Sequence, residues 1–104
     1  MSTIVVYVTT STVKEARKIS DTLVRERHAA CVSIVPRVDS TFWWKNKIEH
    51  SEEALLIIKT RSKKFRTLVR RIQEMHSYSV PEILALPVLH GNPAYLEWLR
   101  DSVK

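Results

Sequence analysis

Glycine and cysteine are almost missing from this chain, with one of each among 104 residues. With Gly91 alone, no glycine-rich loop can bring a row of backbone amides against a phosphate or a dinucleotide. With Cys31 alone, a single chain holds neither a disulfide framework nor a cysteine-only zinc site, although several copies could pool side chains. No stretch reaches the roughly 18 consecutive apolar residues of a membrane span, and Met1-Ser2-Thr3 does not open the charged-then-apolar order of a secretory signal. A cytoplasmic protein without a membrane partner is expected. No Gly-x-Ser-x-Gly nucleophile motif is present either, and no other pattern points to an enzyme.

Charge adds a permission rather than a function. The formal net charge of +6 allows contact with nucleic acid, but acidic residues punctuate both basic groups, Lys14 to Arg27 and Arg61 to Arg71. Solvated helix faces are the expectation. RNA-binding sheets of similar size carry stacking aromatics on their central strands. Here one such strand offers Tyr7 alone and another reads Leu55-Leu56-Ile57-Ile58, so no nucleic-acid partner is expected.

At 44% hydrophobic residues the chain suits one compact domain over residues 1–104, burying roughly two thirds of its unfolded surface. Its organising stretch is Ala29 to Thr60, two long arms folded back at Lys45-Asn46. The first arm alternates through Ala30, Val32, Ile34, Val38, Phe42 and Trp44, the period of two of a half-buried strand. Pro36 interrupts it and cannot donate to a ladder, which predicts an edge strand or a bulge. The second arm passes from Lys47-Ile48-Glu49 to the apolar run Ala54 to Ile58, expected to be buried on both faces. Asn46 tolerates the left-handed backbone of a two-residue turn. Arms of this length overhang any sheet so small a chain can build, and the Trp43-Trp44 pair needs a cover, most simply another copy of the chain.

Around this hairpin the other elements follow from pattern. Ile4 to Thr10 reads as a central strand covered on both faces. Thr12 with Glu15 forms a capping box for a helix ending near His28. Ser62 is placed to cap a second helix through Phe65, Leu68, Val69, Ile72 and Met75, stopping around His76. Glu82 to Leu86 reads as the fourth strand, and Gly91-Asn92-Pro93 opens a last helix through Tyr95, Leu96, Leu99 and Val103. The order βαββαβ plus a C-terminal helix is the α+β, ferredoxin-like pattern, with both main helices on one face of an antiparallel sheet.

Candidate chemistry rests on few residues. Cys31, between Ala30 and Val32, is either a small core hydrophobe or a metal or redox group. His76 and Glu82 bracket one loop, so imidazole and carboxylate could share a cavity as a borderline-metal pair. Equally, His76 could end a helix as a partial cation while Glu82 pairs with a lysine. Lys59, Tyr78, Glu49 and Glu53 complete the polar groups worth following.

Several separated motifs resemble one family over nearly the full length. They are Glu26-Arg27 with Ala29-Ala30-Cys31-Val32, Trp43-Trp44 with Lys47-Ile48-Glu49, Lys59-Thr60, His76-Ser77-Tyr78-Ser79-Val80-Pro81-Glu82-Ile83, and Tyr95-Leu96-Glu97-Trp98-Leu99. In these the chain resembles the CutA divalent-cation tolerance proteins. The resemblance implies a non-enzymatic homotrimer, similar in assembly to PII signalling proteins, with Phe42, Trp43, Trp44, Ile48 and Trp98 at the subunit interface. It also implies a role in tolerance of copper or another divalent cation, without an obligatory cofactor. Bacterial relatives are credited with a thiol in the first strand and two adjacent histidines. Here Val8 and Met75 stand at two of those positions and only His76 remains. The implied metal set is therefore His76, Glu82 and Cys31, binding weakly, and the implied ligand cleft between subunits takes in Lys59, Tyr78, Glu49 and Glu53. The competing expectation is an assembly module that organises protein partners, with metal binding incidental.

Overall fold

A computed structural model describes residues 2–104. In chain order the elements are β1 (Thr3–Thr10), α1 (Val13–Arg25), β2 (Cys31–Trp44), β3 (Lys47–Arg61), a single 3-10 turn (Ser62–Lys64), α2 (Phe65–Met75), β4 (Ile83–Pro87) and α3 (Pro93–Ser102). The four strands form one antiparallel sheet in the order β2-β3-β1-β4. The ferredoxin-like expectation holds, with β1 inside the sheet and β2 at an edge.

Local rules account for most boundaries. Thr12 accepts the Glu15 amide at 3.0 Å, while the Glu15 carboxylate reaches back to the Ser11 amide at 3.2 Å, a capping box displaced by one residue in its return arm. The helix ends at Arg25, earlier than expected, because Arg27 turns left-handed (φ 64°) and the His28 and Ala29 amides both fold back to the Leu23 carbonyl. Lys45 and Asn46 both have positive φ (51° and 63°), the hairpin turn that keeps the strands' twist, and Trp44 faces Lys47. Between Val35 and Val38 the β2–β3 register shifts, so Pro36 lies in a bulge on an edge strand. Ser62 does not cap α2 as expected. It opens the 3-10 turn and its hydroxyl meets that of Ser2. Pro87 is accommodated at the end of β4, the other edge strand.

The two faces of the sheet differ. Ile4, Val6, Val8, Leu56 and Ile58 are buried against Ala16, Ile19 and Leu23 of α1 and Leu68 and Ile72 of α2. The opposite face carries Tyr7, Leu84 and Leu86, and it stays open (37%, 58% and 45% exposed). Burial on both faces, expected for β1 and for the apolar end of β3, is therefore met on one face only within this chain. The reason is supply, since α1 and α2 pack on the same side. Helix α3 closes a smaller cluster in which Leu99 and Val103 bury Ala30.

Only Ala54 to Arg61 of β3 pair with β1, so the rest of the hairpin projects beyond the sheet. Its tip exposes Phe42, Trp43, Trp44 and Ile48.

Candidate functional site

The polar centre of the molecule forms where α2 ends. His76 leaves helical geometry (ψ 140°) while its amide still bonds the Ile72 carbonyl, and its side chain is wholly buried. Nε2 lies 2.7 Å from the Thr9 carbonyl, which can only accept, so Nε2 carries the ring proton. Nδ1 accepts the Tyr78 amide at 3.0 Å. Both ring nitrogens are thus committed to backbone, and the 3.7 Å approach of Nδ1 to Glu15 is not an ion pair in this tautomer. His76 serves as a positioning residue that ties the 76–82 loop to the end of β1.

Glu15 fastens the same loop from the other side. Its carboxylate accepts the Ser77 amide at 2.7 Å and the Ser77 hydroxyl at 3.1 Å. Burial works against its charge, but the hydrogen bonds from Ser77 and Ser11 outweigh it and hold the carboxyl below its ordinary range. So fixed, the loop presents Tyr78, whose ring packs 4.8 Å from that of His76 and whose hydroxyl donates to the buried Glu53 at 2.8 Å. Burial, then the bond to Glu53 and the charges of Glu53 and Glu15, push the Tyr78 phenol up to about 12.

Tyr78 and Glu53 form part of the wall of an open cleft of about 750 Å³ between the loop and the hairpin. Glu49 and Glu82 line it too, with the hydroxyls of Thr9, Ser40, Thr41, Ser51 and Ser79 and the rings of Phe42 and Trp44. No lysine, arginine or histidine does. Oxygen donors of this kind suit hard cations rather than copper.

Of the expected site residues, the structure gathers Glu49, Glu53, Tyr78 and Glu82 and leaves three out. His76 lies behind Tyr78, with no free nitrogen. The expected His76–Glu82 ligand pair is therefore not assembled: the imidazole is used inside the chain and Glu82 is exposed on the cleft. Lys59 and Cys31 sit together elsewhere, as direct partners across β3 and β2. Among the described residues no group of three or more His, Cys, Asp or Glu is placed to hold a metal ion. Trp98 stacks on Tyr95 along α3, their centroids 5.4 Å apart, and stays half exposed. Glu15 was missed as a loop anchor, because its capping role explained it fully at short range. The open sheet face was missed because an all-apolar strand does not say which face its own helices will reach.

A ferredoxin-like subunit with an overhanging hairpin and a tyrosine–carboxylate cleft defines a class of assembling α+β proteins. Comparison makes this specific: residues 4–102 match the CutA1 divalent ion tolerance protein family, and the chain belongs to that family. A rice protein named "Protein CutA 1, chloroplastic" is 43% identical over 97% of this chain, and a Thermus thermophilus "Divalent-cation tolerance protein CutA" is 44% identical over 94%. The match covers 57% of the rice protein's length and 95% of the Thermus protein's. The crystal structure of Oryza sativa CutA1 superposes with a TM-score of 0.97 at 41% identity, covering 100% of this chain and 95% of that one.

Proposed function

We propose that the protein is a non-enzymatic homotrimer acting in divalent-cation tolerance, copper among the ions concerned, with weak cation or small-ligand binding in a cleft between subunits. Membership in a family named for divalent ion tolerance supports the role. The observation that carries the assembly is the uncovered apolar surface, with Tyr7, Leu84 and Leu86 on the sheet and Phe42, Trp43, Trp44 and Ile48 on the hairpin. A neighbouring copy laid on these residues also closes the cleft. Cations then meet the carboxylates of Glu49, Glu53 and Glu82, and affinity is low because three protein ligands do not converge. The cytosol is the proposed compartment, although the rice relative is named chloroplastic. Among the described residues no helix is long and apolar enough to cross a membrane.

Calorimetric titration with copper and zinc tests the cleft. Glu53→Gln and Glu82→Gln should each reduce the heat of binding, while His76→Ala should leave it in place. Loss of binding in His76→Ala with an intact fold would return the imidazole to the ligand set.

A second reading, a trimeric module that organises protein partners much as PII proteins do, is favoured by the commitment of both His76 nitrogens to backbone. It expects no copper or zinc heat in the wild type.

A further inference from the structure

Cys31 and Lys59 are Cα partners in the antiparallel register of β2 and β3, so both side chains leave the same, open face of the sheet. Lys59 Nζ donates to the Ser33 hydroxyl at 2.7 Å, which holds the ammonium beside the thiol, 3.7 Å from Sγ. Cys31 is partly exposed rather than sealed in the core, so a small oxidant can reach its sulfur. It is the only cysteine of the chain. An oxidised Cys31 therefore has no thiol partner within its own subunit, and the nucleophile held against it is the Lys59 amine.

We infer that Cys31 and Lys59 form a reversible sulfenamide cross-link when the protein meets hydrogen peroxide. The Cys31 sulfur attacks one peroxide oxygen, an S–O bond forms and the O–O bond breaks. Sulfur gives up two electrons and becomes a sulfenic acid, and the second oxygen leaves as water with the thiol proton. Lys59 releases one proton to solvent, and its lone pair then attacks the now electrophilic sulfur. The S–N bond forms as the S–O bond breaks, and hydroxide leaves as water with a further proton from nitrogen. Thiol and amine together lose two hydrogens, and one peroxide becomes two waters. A thiol reductant reverses the link by attacking sulfur and releasing the amine. The bond ties the edge strand β2 to β3 next to Ala30 and halts sulfur before irreversible over-oxidation. Ser33 acts as the positioning residue for Lys59.

The test is intact and tryptic mass analysis, without reductant, of the full-length protein treated with hydrogen peroxide. Wild type should lose two hydrogens per chain without becoming a covalent dimer. Tryptic cleavage after Lys59 should vanish, and dithiothreitol should restore both. Lys59→Met, which keeps the stem and removes the amine, should show no such loss, and with dimedone present it should label at Cys31 several-fold more than wild type. Unreacted thiol, a disulfide between copies, a gain of two oxygens at Cys31, or equal dimedone labelling of both proteins would overturn the proposal.

Discussion

The two faces of one sheet have nearly the same apolar content and opposite fates. On β1, Val6 and Val8 are completely buried, while Tyr7 between them is 37% exposed, and Leu84 and Leu86 of β4 lie open beside it. Composition does not separate these residues. What separates them is that α1 and α2 pack on a single side, so the covered face is a folding surface and the open face is what the fold leaves for another chain. The hairpin repeats the contrast along its length, with Leu56 and Ile58 sealed at the base and Trp43 and Ile48 bare at the tip.

The largest effect should come from the covered face. Leu56→Ala removes a fully buried side chain and should cost about 2–5 kcal/mol in denaturant unfolding. The paired change Leu84→Ser with Leu86→Ser should leave circular dichroism intact and lower the mass in solution, since these residues bury little within their own chain. A comparable fall in the unfolding free energy of the isolated subunit would erase the contrast.

Next in size is His76→Ala, which orphans the Thr9 carbonyl and the Tyr78 amide and should cost about 1–3 kcal/mol, read by the same unfolding curve. Tyr78→Phe removes one hydrogen bond and should cost about 1 kcal/mol. The phenol also gives a pH window. Its value in the fold, about 12, lies above its ordinary value of 10.0, so its contribution is complete below pH 10 and is lost as pH rises towards 12. Alkaline unfolding of wild type and Tyr78→Phe should differ in that interval and nowhere below it.

The smallest effect belongs to Glu15. Its carboxyl is held below the ordinary 4.5, so its stabilisation is complete above that value and is lost as pH falls through the lower value in the fold. Glu15→Gln should flatten the acid limb of the stability profile and leave neutral pH little changed. An unchanged acid limb would remove Glu15 as the anchor of the 76–82 loop.

What was legible in the sequence was local. The turn at Asn46, the bulge at Pro36, the Thr12 cap and the Asn92-Pro93 helix start each depend on a few neighbouring residues, and each is found. Ser62 misled because a capping residue is also at home in a 3-10 turn. The cleft was half legible: Tyr78, Glu49, Glu53 and Glu82 meet there, whereas Lys59 and Cys31 face away in a register that residue types alone do not fix. His76 stood out correctly but for a different task, since its partners Thr9 and Tyr78 come from separate segments. Ser77 meets Glu15 across 62 positions of chain, a distance no short-range pattern spans.

The contrast between the faces is tested most directly by the mass of the protein in solution, measured by light scattering at micromolar concentration. The account predicts a particle of three chains, in which the sheet face of Tyr7, Leu84 and Leu86 and the hairpin tips are covered. A single chain at that concentration, with these residues left in water, would contradict it.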